Sequence, residues 1–306
     1  MDHVALQLSI VICTYNRAQY LPNALRSLND QSANGKSYEV IVVDNASTDA
    51  TQDVCRKLIP QLTNTTFSYY QEKQQGASFA RNTGATFAKA PLLCFMDDDA
   101  VAHTDFVERI VTFFSGYPEA GGLGGRIVPL YIPEEPSWMS YYVSSLVGHF
   151  HYAEKVTEFR GGKFPFESNM TIPTALFREV GGFNEAIPGV VGTARVGGEG
   201  KELCIRISKL GHAIYYDPSV IVKHVVETNK LTPSYLARVA QGIGKGERIR
   251  TKSVSNRAFN LKTIEYVAKL QAAILIGLYY IIRRESEKTG PVIRFRISAL
   301  RGLLQK

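Results

Sequence analysis

Three adjacent carboxylates, Asp97-Asp98-Asp99, stand directly after the apolar run Leu92–Met96. Carboxylates this close repel one another, and without a cation at least one is driven to protonate or to turn to solvent. A hard divalent ion relieves the repulsion, because Mg2+ or Mn2+ takes one or two carboxylates together with phosphate oxygens. The plainer alternative is a solvated acidic turn or a helix cap. Asp44 ends a second apolar run and opens the loop Asn45-Ala46-Ser47-Thr48-Asp49. It suits a hydrogen bond from a nucleobase or ribose, or else an Asx-turn with an N-cap from Ser47, Thr48 or Asp49. Thr14-Tyr15-Asn16-Arg17 follows a third run, Leu8–Cys13. Its backbone suits the lining of a nucleotide pocket, or a cap in which Asn16 or Thr14 starts a helix.

The elements that must position these groups alternate. Strands are expected at Leu8–Cys13, Glu39–Val43, Phe67–Gln71 and Leu92–Met96, and helices at Ala18–Asn29, Thr51–Leu58, Ala77–Ala88 and Asp105–Phe114, the last started by Thr104. Strand–helix alternation with β-branched runs implies an open, mostly parallel α/β sheet. Ligands of such sheets sit beyond the carboxyl ends of the strands, where the three polar clusters fall. From Gly116 the texture changes: Gly121, Gly122, Gly124 and Gly125 cluster, and Pro129, Pro133 and Pro136 follow. This reads as a turn-rich lead-in to a second lobe, with helices near Thr174 and Lys201. Residues 230–306 read as largely helical. The expected organisation is three segments: 1–115, carrying the three polar clusters; 116–229, the second lobe; and 230–306, a basic helical tail.

Taken together, these residues resemble family 2 glycosyltransferases, whose fold is the GT-A type, and among them the non-processive enzymes of bacterial polysaccharide assembly. The matching elements are Ser9–Arg17, Val42–Asp49, Gly76 with Ala80-Arg81-Asn82-Thr83-Gly84, and Phe95–Asp99. Further matches are Ser168-Asn169-Met170, Phe177–Phe183, Gly198-Glu199 with Glu202-Leu203 and Arg206, and His224. The resemblance covers roughly residues 8–229. It implies inverting transfer of a sugar from a nucleotide-diphosphate donor to an acceptor hydroxyl. Thr14, Tyr15, Asn16, Arg17, Asp44, Asn45, Arg81, Asp97 and Asp98 would border the nucleotide. Asp99, Asp97 and His224 would hold Mg2+ or Mn2+, although a lone His at a strand end is also an ordinary structural residue. Asn169 would face the acceptor side, or else be a turn residue. Trp138, with Tyr141 and Tyr142, would stack on sugar or touch lipid, or else pack a loop.

One departure bears on catalysis. The family carries its base on the second member of a Glu-Asp pair, and this chain reads Glu199-Gly200. Glycine accepts no proton. Glu199 is the expected base, since a longer side chain one residue earlier reaches similar space. Glu202 is second, although a Glu in a first helical turn also serves the helix dipole. The alternative is a degenerate GT-A protein that binds nucleotide-sugar or a partner without efficient catalysis.

Composition narrows the remaining classes. The chain has 306 residues, 45% hydrophobic and 21% charged, which excludes wholesale disorder. Its four cysteines form no CxxC pair, so neither a zinc ribbon nor a disulfide framework is expected. No signal peptide is expected, since Met1–Gln7 lacks a basic start and Leu8–Cys13 is short. Charge is uneven: residues 230–306 hold 16 Lys/Arg against 4 Glu, a net of +12, and residues 1–229 carry −5. The tail's apolar stripe, Leu261, Ile264, Val267, Leu270, Ile274, Leu278 and Ile281, has helical spacing and basic flanks. It suits a helical hairpin packed on the body, an anionic membrane surface or a homodimer. No run reaches the about 20 apolar residues of a spanning helix. A nucleic-acid partner is not expected, because no recognition motif accompanies the charge. A nucleotidyltransferase is disfavoured because no Gly-rich phosphate loop lies near the N-terminus. A cytoplasmic protein, peripheral on the inner face of the cell membrane and acting on a glycan or polyprenyl-linked acceptor, is the resulting expectation.

Overall fold

Strand β1 (Leu6–Thr14) is apolar on both faces, the mark of an interior strand. Leu8, Ile10 and Ile12 pack in one layer with Leu21, Leu25, Leu28, Phe106 and Ile110. Val11 packs in the opposite layer with Ala80, Ala85, Phe177, Leu203 and Ile207. The molecule is a computed structural model describing residues 5–33, 37–192 and 194–305. Residues 1–4 of the segment read for a leader, and Lys306 of the tail, lie outside the described residues. The chain divides into two units. The first holds residues up to 128, 150–185 and 200–225; the second holds 129–149, 186–199 and 226 onward.

In chain order the elements are β1, α1 (Leu21–Asn29), β2 (Ser37–Asp44), α2 (Thr51–Leu58), β3 (Thr66–Gln71), α3 (Ala77–Phe87), β4 (Leu92–Asp97), β5 (Ala100–Ala102) and α4 (Phe106–Gly116). Then come β6 (Gly122–Ile132), α5 (Tyr141–Ser144), β7 (Thr157–Glu158), β8 (Asn169–Pro173), α6 (Thr174–Glu179), β9 (Gly189–Val191), β10 (Ala194–Val196), α7 (Glu199–Lys209), β11 (Ile214–Glu227), α8 (Pro233–Val254), α9 (Asn256–Ile282) and α10 (Thr289–Leu304). The main sheet has the order β3-β2-β1-β4-β8-β6-β11-β5, with β7 on β11. It is parallel from β3 to β4; β8 then runs antiparallel to both β4 and β6, and β5 antiparallel to β11. This is the expected α/β GT-A class with helices after the sheet. Helix α1 begins without a side-chain cap. A cap contributes about 1 kcal/mol. Burial of Leu21, Leu25 and Leu28, at about 1.5–3 kcal/mol each, outweighs its absence.

The glycine cluster is corrected by the structure. Gly122, Gly124 and Gly125 lie inside the 11-residue strand β6 rather than in turns. Gly124 and Gly125 are needed for close approach, not for chain reversal. A Cβ on Gly124 would sit 2.4 Å from Pro165 Cβ, and one on Gly125 would sit 2.2 Å from both Asn169 Nδ2 and Val220 O. Gly125→Ala is therefore expected to cost about 1–3 kcal/mol through overpacking. Thermal melting would register it as a fall of several degrees, whereas the exposed Gly116→Ala, with nothing within 4 Å, leaves the melt unchanged.

The second unit has a separate core. Val239, Ala240, Tyr266, Ala273, Tyr280, Val292, Phe295 and Leu303 form it, with Val143 and Val147. Helices α8 and α10 cross closely through Gly244 and Gly302, whose added Cβ atoms would lie 2.0 Å from Ala299 O and 2.1 Å from Gln241 O. The 27-residue α9 buries Tyr266, Ala273, Gly277 and Tyr280. The apolar stripe read from the sequence lies on the other side: Ile264 is 65% exposed, and its neighbours Leu275 and Ile282 are 67% and 80% exposed. By length and composition α9 also qualifies as able to cross a membrane, contrary to the expectation above. Only Glu265 and Lys269 interrupt its apolar portion, and they pair with each other at 2.5 Å.

Candidate active site

The sheet register brings the polar clusters together. Thr14 stands opposite Asp44, and Cys13 opposite Asp97, so the tips of β2, β1 and β4 end side by side. Chain reversal after β4 places Ala100 opposite His224 on β11. His224 Nε2 consequently lies 3.0 Å from Asp99 Oδ1. The Asp99 carbonyl accepts the Val225 N–H at 2.9 Å. Arg17 Nη1 lies 3.7 Å from Asp99 Oδ2, and Arg81 Nη2 lies 3.4 Å from Asp97 Oδ1.

One ligand atom from each of Asp97, Asp99 and His224 falls within 4.8 Å of the others. Asp99 is 6% exposed and His224 8% exposed. Burial pushes the Asp98 carboxyl well above the usual carboxylate range; the Asp99 charge adds to this and Arg17 opposes it. His224 Nδ1 is buried and has no hydrogen-bond partner among the described residues. Two carboxylates and an imidazole are donors suited to a small divalent ion with open positions. The residues fit the expected metal.

Other predicted residues hold the rim in shape. Asn16 has φ +52° and its Oδ1 accepts from Thr48 N and Asp49 N, while Asn16 N donates to Ser47 Oγ. Arg17 N donates to Thr51 Oγ1. The β1 and β2 loops are thereby clasped, with half-buried Tyr15 between Thr14 and Asn16. Asp44 is buried; Oδ1 accepts from Ser47 N and Oδ2 from the Tyr69 hydroxyl at 2.8 Å. Asn45 donates to Gln74 O and accepts from Gly76 N, which sits at φ +143°. Asn169 is buried and donates to Arg126 O and Val220 O, tying β8 to both β6 and β11. Trp138 packs against the core of the second unit. Glu199, also buried, is the first residue of α7 and belongs to the second unit by division. The Glu202 carboxylate is held by Arg206 through contacts of 2.8–3.0 Å.

Two residues at this rim escaped the sequence reading. Tyr69 is one, being only a strand aromatic by type. Glu167 is the other: it accepts the Gly200 N–H at 2.5 Å and lies two residues before β8.

The sequence model of glycosyl transferase family 2 matches residues 9–181. The chain belongs to glycosyl transferase family 2. This glycosyltransferase is 27% identical over 230 residues to a glucosyl-dolichyl phosphate glucuronosyltransferase of Haloferax volcanii, covering 72% of this chain and 69% of the relative. It is 32% identical over 235 residues to a validoxylamine A glucosyltransferase of Streptomyces hygroscopicus, covering 69% of this chain and 53% of the relative, so it matches about half of that protein's length. Among solved structures, the Pyrobaculum calidifontis mannosyltransferase PcManGT, in complex with GDP-Man and Mn2+, superposes with a TM-score of 0.62 at 16% identity, over 96% of this chain and 87% of that one. Staphylococcus aureus TarS in complex with UDP superposes with a TM-score of 0.56 at 16% identity, over 97% and 91%. These two share its fold.

Proposed function

We propose that this glycosyltransferase moves a sugar, with inversion at the anomeric carbon, from a nucleoside-diphosphate donor to an acceptor hydroxyl on a lipid-linked or polysaccharide acceptor in cell-surface glycan synthesis. The observation carrying this reading is the Asp97/Asp99/His224 cluster, with Asp99 and His224 buried, flanked by Arg17 and Arg81. Asp97, Asp99 and His224 would hold Mg2+ or Mn2+. When bound, the ion neutralises negative charge on the departing diphosphate. Arg81 and Arg17 add fixed positive charge at the same rim, which favours the state in which that charge develops. Asp44 keeps lone pairs for a base N–H while Ser47 and Tyr69 fix its orientation. Asn16 and Asn45 act by shaping the rim, and Asn169 by fixing the strands beneath it.

Thermal melting against UDP-, GDP- and dTDP-sugars, with and without Mn2+, tests the reading. One nucleotide class is expected to raise the melting temperature only with Mn2+, and NMR of the product is expected to show the inverted anomer. No shift with any donor would defeat it.

The partner proposed for α9 is an anionic lipid surface. Its outward face is apolar, and Arg257, Lys262, Lys269, Arg283 and Arg284 border it. Anionic lipid attracts each nearby Lys/Arg by about 1 kcal/mol. Vesicles containing phosphatidylglycerol are expected to sediment the protein in low salt, and pure phosphatidylcholine far less. Leu275→Glu with Leu278→Glu is expected to weaken the binding by at least about tenfold, since two leucines lose their apolar contact. A double-mass species in solution with no vesicle binding would assign the face to a homodimer instead.

A further inference from the structure

Gly200 has no side chain, and another carboxylate occupies the space one would fill. A Cβ built on Gly200 would lie 2.5 Å from Glu167 Oε1 and 2.8 Å from its Cδ and Cγ. The Gly200 N–H donates to that same Oε1. Both residues belong to the first unit, with the Asp97/Asp99/His224 cluster. The β4/β8 ladder ends where Met96 pairs with Asn169. The chain just before β8 therefore approaches the sheet at the end from which Asp97–Asp99 leave, and Glu167 stands at that end.

We propose that Glu167 is the general base of the transfer, presented to the acceptor through the space that Gly200 leaves open. The inference rests on the transferase reading and completes it. In the step, the acceptor oxygen forms a bond to the anomeric carbon. The bond from that carbon to the diphosphate oxygen breaks, and its electron pair leaves with the nucleoside diphosphate. The acceptor's hydroxyl proton passes to the Glu167 carboxylate.

Three features favour Glu167 over the sequence candidates. Glu202 is already paired with Arg206, and protonating it would break a clamp that also holds the Gly182 carbonyl. Glu199 is buried at the end of the second unit's segment. Glu167 is half-buried and loop-borne, and its carboxylate, alone of the three, fills the space that a side chain at position 200 would take. The Gly200 N–H bond, made at the start of α7, orients the carboxylate. Any side chain at position 200 would displace it.

The test compares the parent, Glu167→Gln, Glu199→Gln and the exchange Glu167→Gly/Gly200→Asp. Nucleoside diphosphate release from UDP-, GDP- and dTDP-sugars with Mn2+ is measured beside donor-dependent thermal shifts. Gln keeps an oxygen for the Gly200 N–H, so E167Q is expected to melt like the parent and keep its donor shift. Its release rate is expected to fall about 100- to 10,000-fold. The exchange moves the carboxylate to the neighbouring backbone and is expected to recover at least about tenfold over E167Q, which a capping role would not produce. Release by E167Q equal to the parent's, with the donor shift intact in both, would overturn Glu167 alone. A loss confined to E199Q would return the role to Glu199. Absence of a donor shift in the parent would instead remove the transferase reading.

Discussion

Replacing Asp99 by Asn is expected to abolish turnover while leaving the fold intact. Asn keeps the size of Asp and one acceptor oxygen, but it removes the negative charge 3.0 Å from His224 Nε2 and 3.7 Å from Arg17 Nη1. A loss of about a thousandfold or more in rate is expected, the scale on which a fixed electrostatic contact to a developing oxyanion acts. The Mn2+-dependent thermal shift should disappear with it. The melting temperature without ion should move in the other direction or stay level. Asp98 and Asp99 are both buried, and burial with the Asp99 charge already pushes the Asp98 carboxyl up. Deleting one charge relieves repulsion that the folded state otherwise bears. A site that trades stability for function behaves in this way. If D99N instead melted many degrees lower and kept its Mn2+ shift, the carboxylate would be holding β5 against β11 rather than binding a cation.

The rim was legible in the sequence because each of its carboxylates follows an apolar strand, and a strand's carboxyl end is where an α/β sheet exposes its ligands. Asp44, Asp97 and Asp99 could be placed that way, and His224 by the run before it. What the sequence does not carry is which lone pairs the chain itself uses. Asn45 and Asn16 look like ligand contacts by type, yet they clasp loops whose partners are 29 to 33 residues away. The glycines at 122–125 look like turn residues for a similar reason. Composition reports conformational freedom but not the backbone of another strand 2.2 Å from a missing Cβ. In α9 the period was right, and of the alternatives left open for the apolar stripe the structure leaves it exposed rather than packed on the body. Small and aromatic residues, Ala273, Gly277, Tyr266 and Tyr280, form the buried side, and the large aliphatics face out. A pattern counted by hydrophobicity alone selects the larger residues. Glu167 carried no signal at all, because its meaning depends on Gly200, 33 residues later.

Arg206→Met is expected to cause the largest loss of stability among single substitutions at this rim. The guanidinium makes two contacts of 2.8 and 2.9 Å to opposite oxygens of Glu202, and it also donates to the carbonyls of Val180 and Gly182. Those carbonyls belong to the turn after α6, where Gly181 and Gly182 sit at φ +78° and +70°. One side chain therefore joins α7 to a turn that only glycine adopts without strain. Met preserves much of the apolar stem and removes every donor. Glu202 is largely buried, with 14% of its side chain exposed, so it would be left as a nearly unpaired charge. Breaking a buried pair from one side costs about 3–5 kcal/mol. Arg206 itself is 27% exposed, and some solvent screening brings the expectation to roughly 2–4 kcal/mol. For a domain of this size that corresponds to a melting temperature lower by about 5–12 °C. Glu202→Gln in the same background removes the stranded charge, so the double variant should recover part of the loss, and a double-mutant cycle would measure the coupling. Activity should fall as well, because α7 carries Gly200 and hence the seat of Glu167. If R206M melted like the parent, the clamp would be only a surface ion pair, and Glu202 would regain its standing as a proton acceptor.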